Sequence, residues 1–232
     1  GTFPNHEANP LKTETLEALQ ARVRGGGYAF GVAFDGDADR AGFVDETGAV
    51  IPMDLVTALI AQDILARRRG VVFYDLRSSW IVKETILAAG GTPMMSRVGH
   101  AFIKQQMREH DAIFAGELSG HYYFKDNYTT ESAALAILSL ANIVSRSGKP
   151  LSALVAPLRV YHASGEINTK VSGDPRAVLA DIKAAYADGK VFELDGVSVE
   201  YPDWWFNVRC SNTEPLVRLN VEARTRAQME RK

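Results

Sequence analysis

The 232-residue sequence contains a single cysteine, Cys210, which excludes an internal disulfide and favours a reducing, cytoplasmic compartment. No apolar run approaches the roughly 20 residues that a membrane-spanning helix requires, so we expect no membrane partner. An excess of one charge is also missing, since the formal net charge is −2. This balance argues against a general nucleic-acid binder, and any anion site must come from a local cluster.

Signals of a chain start are missing as well. The first residues carry neither an initiator methionine nor a signal-peptide pattern, and residues 224–232 end in a charged, helix-like segment without a stop signal. We therefore expect a truncated part of a longer chain. Its apolar content of 46% and charged content of 23% are ordinary for a soluble globular protein.

Three aspartates at alternate positions follow the apolar run 28–34 and form the most informative motif, DGDADR at residues 35–40. Crowded carboxylates cost free energy unless a cation shares them, and hard oxygen ligands suit Mg²⁺, Mn²⁺ or Ca²⁺. Gly36 is expected to let the backbone turn so that the carboxylates converge. The metal-ligand candidates are Asp35, Asp37 and Asp39. The alternative is a solvated acidic turn.

Two other kinds of site begin with a similar motif. An EF-hand loop starting at Asp35 would end at Glu46, but its sixth position is Arg40 where a sharp turn needs glycine. Because the flanks also resemble strands, this interpretation is rejected. A metal-dependent phosphatase with Asp35 as its nucleophile also begins with an apolar strand and Asp-x-Asp, and it stays open as an alternative.

The periodicity of apolar residues predicts an α/β fold: a mixed, parallel-rich sheet with flanking helices, followed by a small α+β C-terminal domain. The predicted helices cover residues 13–24 (capped by Thr13), 53–69, 80–89, 100–109, 131–145 and 175–186, and the predicted strands cover residues 28–34, 71–74, 92–98, 112–115, 161–171, 191–201, 204–210 and 216–223, with a hairpin at 42–51. In parallel sheets the carboxyl ends of the strands carry the ligand site. We therefore expect residues 75–79, 99–100 and 116–121 to meet at one edge.

Two polar segments suit small ligands, one an anion and the other a sugar. The segment RCSNTEP at 209–215, with Arg218 beyond it, offers a guanidinium, hydroxyls and an amide to an anion. The alternative there is an ordinary β-turn. The segment GELSGH at 116–121 places Glu117 and Ser119 where they could bind adjacent sugar hydroxyls, although a tight turn with an incidental glutamate is the alternative.

Three further side chains are anion candidates. His100 follows a glycine at a predicted helix start, where it could donate to an anion, and Arg77 could add charge to a phosphate, as could Lys104. A capping or exposed histidine and a solvated lysine are the alternatives.

The three motifs, in this order and spacing, resemble the α-D-phosphohexomutase family, which includes the phosphomannomutases and phosphoglucomutases. The 35–40 motif is similar to its metal-binding loop, 116–121 to its sugar-recognition loop and 209–215 to its phosphate-binding loop. The resemblance implies a four-domain enzyme, an isomerase of carbohydrate metabolism. It further implies that residues 1–51 end domain two, 52–157 form domain three and 158–232 form domain four.

The resemblance also implies roles for individual residues. Mg²⁺ on the three aspartates would neutralise charge on a phosphoserine of the first domain, a residue that this sequence lacks. Arg40, near the transferring phosphoryl group, and His100 are the catalytic candidates. The substrate-binding candidates are Arg77, Glu117, Ser119, Arg209, Ser211, Asn212 and Thr213.

The function implied is interconversion of hexose 1-phosphate and hexose 6-phosphate through a bisphosphate, as an intramolecular phosphotransferase. The partners are then mannose or glucose phosphates and the missing N-terminal domains, and the chain alone is expected to be inactive. Mannose against glucose stays open, because both sugars share the 3- and 4-hydroxyls. A phosphoglucosamine mutase, a module that only binds sugar phosphates and the metal-dependent phosphatase are the remaining alternatives.

Overall fold

The computed structural model describes residues 2–211 and 215–232. The chain divides into two compact units, Gly1–Arg159 and Val160–Lys232. Both units combine helices with sheets, which confirms the predicted mixed α/β fold class. The division into three domains, with boundaries after residues 51 and 157, stays a prediction. Within the described residues no helix combines the length and apolar character needed to cross a membrane.

The first unit opens with a helix and a small antiparallel sheet. A 3-10 turn at Thr13–Leu16 leads into α1, Glu17–Arg24, and the strands are β1 (Phe30–Phe34), β2 (Ala41–Asp45) and β3 (Val50–Ile51), in the order β1-β2-β3. The predicted strand and hairpin are confirmed. The predicted cap at Thr13 is wrong, because Thr13 is already the first residue of the turn and Lys12 precedes it without a side-chain cap.

A five-stranded sheet forms the rest of the first unit. Its strands are β4 (Val71–Asp75), β5 (Thr92–Ser96), β6 (Phe114–Gly116), β7 (Tyr122–Phe124) and β8 (Thr130–Glu131), in the order β5-β4-β6-β7-β8. Strands β5, β4 and β6 are parallel, as predicted, whereas β7 and β8 add antiparallel pairs that the sequence did not predict. A run of three apolar residues is too short for its periodicity to be recognised.

Helices of the first unit cover this sheet. They are α2 (Met53–Leu65), α3 (Trp80–Ala88), α4 (His100–Glu109), α5 (Ala133–Ser147) and α6 (Leu151–Val155). Helix α2 is buried along most of its length because it packs against α3, α5, α6 and β6. Its buried Asp54 accepts hydrogen bonds from the backbone N–H of Leu55 and Ser79 and thereby holds the start of α3. Burial raises the pKa of this carboxyl.

The second unit is an antiparallel sheet with helices. Its elements are β9 (His162–Lys170), α7 (Pro175–Ala185), β10 (Lys190–Phe192), β11 (Val197–Glu200), β12 (Trp204–Cys210), β13 (Leu216–Ala223) and α8 (Arg226–Arg231). The strand order is β10-β11-β12-β13-β9. The core of this unit consists of apolar side chains such as Val199, Phe206 and Val221. The predicted single strand at 191–201 is two strands, because a turn at residues 193–196 separates β10 from β11.

Candidate functional site

The acidic motif connects β1 to β2, so an antiparallel hairpin holds both of its ends. Phe34 pairs with Ala41 in the register of the two strands. Each of Asp35, Asp37 and Asp39 offers one carboxylate oxygen, and these oxygens all lie within 4.8 Å of one another. The predicted convergence of the three carboxylates is therefore present in the structure.

The left-handed residue of this loop is Ala38, not Gly36. Ala38 has a φ of 63°, in the left-handed region, whereas Gly36 has no such conformation. Gly36 instead faces a ring: a Cβ added there would lie 3.2 Å from Cζ of Phe3. The predicted role of Gly36 in the turn stays a prediction, and its nearest neighbour is the exposed ring of Phe3.

Asp35 is the buried member of the three, with 8% of its surface exposed. Its Oδ1 accepts the backbone N–H of Arg40 at 3.1 Å, and its Oδ2 accepts the Arg40 Nε–H at 2.7 Å. Burial alone would raise the pKa of Asp35, but the bonds from Arg40 outweigh burial and hold it below its usual value. Burial and the neighbouring aspartates raise the pKa of Asp39, although His121 opposes this.

This donor set fits a hard divalent cation. Carboxylate oxygens are the ligands that Mg²⁺ and Ca²⁺ prefer, and each Asp35 oxygen keeps a lone pair beyond its bond to Arg40. Burial is the main cause of the raised pKa of Asp39, and the charges of Asp35 and Asp37 add to it; a cation would relieve this like-charge crowding. The EF-hand geometry is absent from the described residues here, since strands flank the loop and Glu46 accepts the backbone N–H of Ser152 at 3.1 Å.

The three loops at the carboxyl edge of the parallel strands meet as expected. The backbone N–H of Leu118, in the 116–121 loop, donates to Oδ2 of Asp75 at 2.8 Å. The backbone N–H of Gly99 donates to Oε1 of Glu117 at 3.2 Å. Because Asp75 is the last residue of β4 and Gly99 lies after β5, these two bonds connect the ends of different strands to the 116–121 loop.

Glu117 is buried, with 2% of its surface exposed, and accepts several donors. Besides Gly99, the Tyr123 hydroxyl donates to its Oε2 at 2.6 Å. Burial alone would raise the pKa of Glu117, but His121 and Tyr123 hold it below its usual value. Burial and Glu117 raise the pKa of Tyr123, so its hydroxyl stays a donor. Glu117 is therefore an ionised, oriented acceptor.

His121 connects the acidic loop, residues 35–40, to the loop at residues 116–121, and the sequence did not predict this role. Its Nδ1 lies 3.2 Å from Oε2 of Glu117 and 2.9 Å from Oγ of Ser119, and its Nε2 lies 3.3 Å from Oδ2 of Asp39. Burial alone would lower the pKa of His121, but the carboxylates of Glu117 and Asp39 outweigh burial and raise the pKa above its usual value. Its place at the end of the 116–121 motif was the available signal.

A backbone contact reinforces this junction. The N–H of Ala41, where β2 begins, donates to the carbonyl of Gly120 at 3.1 Å. Gly120 has a φ of 90°, and a Cβ there would lie 3.2 Å from the carbonyl oxygen of Ala41. Glycine is therefore required at this position by both conformation and space.

The basic candidates of the first unit are less free than the sequence suggested. The Nη2 of Arg77 donates to Oδ2 of Asp75 at 2.7 Å, and the Arg77 side chain is 9% exposed. His100 begins α4, as predicted, with its side chain 57% exposed and its Nδ1 3.9 Å from Glu131. Lys104 donates to the same Glu131 carboxylate at 2.9 Å.

In the second unit, Arg209 lies directly opposite Arg218 on neighbouring strands. One carboxylate serves both: Nη2 of Arg209 lies 2.6 Å from Oε2 of Glu166, and Nη1 of Arg218 lies 2.7 Å from its Oε1. The Nη2 of Arg218 also donates to Oγ of Ser211 at 3.4 Å. Sequence reasoning missed Glu166. The candidates Asn212 and Thr213 lie outside the described residues.

Three family models match consecutive parts of the chain. Residues 1–48 match phosphoglucomutase/phosphomannomutase alpha/beta/alpha domain II, residues 52–161 match alpha/beta/alpha domain III, and residues 166–231 match the C-terminal domain. Together they account for nearly the whole sequence, in the order of the family.

Individual relatives agree with the family models. The chain is 45% identical to a phosphomannomutase of Methanocaldococcus jannaschii, covering 100% of this chain and 52% of that protein. It is 43% identical to a phosphohexose mutase of Xanthomonas campestris pv. campestris, covering 97% of this chain and 51% of that protein. The chain thus spans about half the length of these curated relatives.

A solved structure extends the likeness to three dimensions. A phosphoglucomutase/phosphomannomutase family protein of Burkholderia thailandensis matches 99% of this chain and 50% of its own, with a TM-score of 0.87 at 34% identity. Since family models, relatives and this structure agree over the same residues, the chain belongs to the phosphoglucomutase/phosphomannomutase family and corresponds to its domains II, III and IV.

Proposed function

We propose that the chain is part of a cytoplasmic phosphohexomutase that interconverts the 1-phosphate and 6-phosphate of mannose or glucose. The observation that carries the proposal is the junction at His121, where a carboxylate triad suited to a cation adjoins a loop with an oriented glutamate. A phosphoryl-transfer enzyme needs a cation beside the reacting phosphate and acceptors that fix the sugar, and both groups lie in one unit.

Glu117 and Ser119 are proposed to hold the sugar. The lowered pKa keeps the Glu117 carboxylate ionised, so that it can accept hydrogen bonds from two neighbouring hydroxyls. The Ser119 hydroxyl, bonded to His121, supplies another polar contact. Because these groups would bind the 3- and 4-hydroxyls, the same loop would accept the sugar in either orientation.

Asp35, Asp37 and Asp39 are proposed to hold Mg²⁺. When bound, the ion would neutralise negative charge on the phosphoryl donor. The chain's own contribution is to fix the carboxylates: Arg40 holds Asp35, and His121 holds Asp39. Arg40 would then stand beside the transferring phosphoryl group. His100 and Arg77 are proposed to assist at the edge of the same site.

The non-transferring phosphate is proposed to bind in the second unit, at Arg209 and Ser211 together with Asn212 and Thr213. The phosphoryl donor, the family's phosphoserine, has no counterpart in this sequence. We therefore propose that this chain binds hexose phosphate but does not complete the reaction. Conversion of mannose 1-phosphate to the 6-phosphate by the purified chain alone would contradict this part.

Calorimetric titration of the purified chain tests the binding role. Glucose 1-phosphate and inorganic phosphate are compared on the wild type and on Glu117→Gln, with Glu109→Gln as control, because Glu109 is an exposed glutamate of the same unit. We expect Glu117→Gln to weaken glucose 1-phosphate about tenfold and to leave inorganic phosphate unchanged. Equal binding of glucose 1-phosphate by wild type and Glu117→Gln would overturn the sugar-binding role.

A further inference from the structure

The arginine pair of the second unit creates an electrostatic conflict that the fold must resolve. Arg209 on β12 and Arg218 on β13 stand directly opposite each other in the antiparallel register. Like charges in this position are destabilising, and the Arg209 side chain is only 11% exposed, so water screens it poorly. A negative group between the two guanidiniums is required.

Glu166 on β9 is that group. Each of its carboxylate oxygens receives one guanidinium, at 2.6 Å from Arg209 and 2.7 Å from Arg218. Two guanidiniums sharing the oxygens of one anion is also the arrangement by which arginines bind a phosphate. Glu166 therefore imitates, with protein atoms, part of the contact that a phosphate monoester would make.

The arginines retain donors that Glu166 does not use. Within residues 2–211 and 215–232, the buried Nε atoms of Arg209 and Arg218 have no hydrogen-bond partner. A buried donor without a partner costs free energy, so Glu166 alone leaves part of the hydrogen-bonding capacity of the two arginines unused. Ser211, the residue after β12, lies within hydrogen-bond distance of Arg218 and brings a hydroxyl to the same place.

We infer that Glu166 is a positioning residue of the phosphate site: it holds Arg209 and Arg218 together before the ligand arrives and limits how tightly a phosphate dianion then binds. This inference rests on the proposed function, in which the second unit grips the non-transferring phosphate. Two guanidiniums and one carboxylate leave a single net positive charge, so a dianion meets attraction and repulsion together.

Limited affinity suits the proposed reaction. An intermediate with phosphates at both ends must release its phosphate from this site, turn, and bind again through the other phosphate. Two arginines without a carboxylate between them would hold a dianion more tightly and slow that release, because affinity differences within one site appear mostly as dissociation rates. Glu166 provides the repulsion that keeps the exchange reversible.

Calorimetric titration of the full chain with inorganic phosphate tests the inference on Glu166→Gln. The amide keeps the shape and removes the charge, so we expect about fivefold tighter phosphate binding and a steeper loss of affinity with added salt. Glu200→Gln is the matched control: it removes one negative charge from a strand glutamate of the same unit that pairs with Lys190. Its phosphate affinity should equal that of the wild type.

The outcomes separate the inference from the function beneath it. Phosphate binding by the wild type, with equal or weaker binding by Glu166→Gln, overturns the inference alone, since a purely structural glutamate would give that result. No phosphate binding by either protein overturns the inference together with the phosphate role of the unit. If Glu166→Gln does not fold, Glu166→Asp replaces it, and its shorter carboxylate should tighten binding by a smaller factor.

Discussion

Nε2 of His121 lies 3.3 Å from Oδ2 of Asp39, which connects two loops separated by about eighty residues of sequence. The other ring nitrogen lies 3.2 Å from Glu117, so the imidazole lies between the carboxylates of Asp39 and Glu117. The two loops are consequently oriented by one side chain. A substitution at His121 should therefore alter the orientation of both loops.

His121→Phe should destabilise the first unit by about 2 kcal/mol, because two carboxylates lose a charged partner while the ring volume is retained. Urea unfolding monitored by circular dichroism measures the change. His6→Phe is the control, since His6 is an exposed histidine of the same unit. An unfolding free energy for His121→Phe equal to that of the control would show that the bridge contributes nothing.

Asp37→Asn and Asp39→Asn should each weaken binding of Mg²⁺ or Mn²⁺ about tenfold, because each removes one of three hard ligands. Electron paramagnetic resonance of free Mn²⁺ measures the affinity directly. Asp111→Asn is the control, because Asp111 is an exposed aspartate that pairs with Lys125 away from the triad. Undiminished Mn²⁺ affinity in both triad variants would exclude the triad as the cation site.

Gly116→Ala should destabilise the chain by about 2 kcal/mol, because the added Cβ would lie 2.1 Å from Oγ1 of Thr57 on α2. The double variant Gly116→Ala/Thr57→Ala should recover part of this loss by making room. Gly25→Ala is the control, since its added Cβ meets nothing nearer than 3.5 Å. Urea denaturation measures all four proteins, and an absence of recovery in the double variant would contradict the proposed clash.

The stability advantage of wild type over Glu166→Gln should depend on pH. Burial alone would raise the pKa of Glu166, but Arg209 and Arg218 hold it below its usual value of 4.5. A carboxyl whose pKa is lower in the folded state stabilises the fold above the unfolded pKa and loses that effect as pH falls through the folded pKa. We expect an advantage of about 2 kcal/mol at pH 7 that declines below about pH 4.5. Thermal unfolding at a series of pH values measures it, and a pH-independent difference would contradict the ion pair.

Much of the fold was readable because local patterns agree with the tertiary structure. The apolar run before Asp35 became β1, and the alternation of strands and helices correctly brought the loops around Asp75, Gly99 and Glu117 to one edge. Strands β7 and β8 were not predicted, because a segment of two or three residues shows no periodicity. Tertiary contacts set the pairing of β7 with β6 and of β8 with β7.

The sequence predicted which residues form the candidate site, but not the hydrogen bonds and ion pairs among them. His121 and Glu166 act through partners far away in sequence, and neither stands in a pattern that identifies those partners. Arg77 was predicted to add charge to a phosphate, and the structure shows that Asp75, two residues earlier, accepts a hydrogen bond from its guanidinium. Spacing along a chain predicts which groups gather, whereas pairing among them depends on side-chain direction.

The hairpin register limits how the length of the acidic loop, residues 35–40, can change in evolution or in engineered variants. Phe34 pairs with Ala41, and Ala41 is also bonded to Gly120, so both ends of the loop are anchored. A strand that slips by one residue turns its side chains to the opposite face. An insertion or deletion between residues 35 and 40 therefore cannot be absorbed by sliding, and variation in this loop should occur by substitution at constant length.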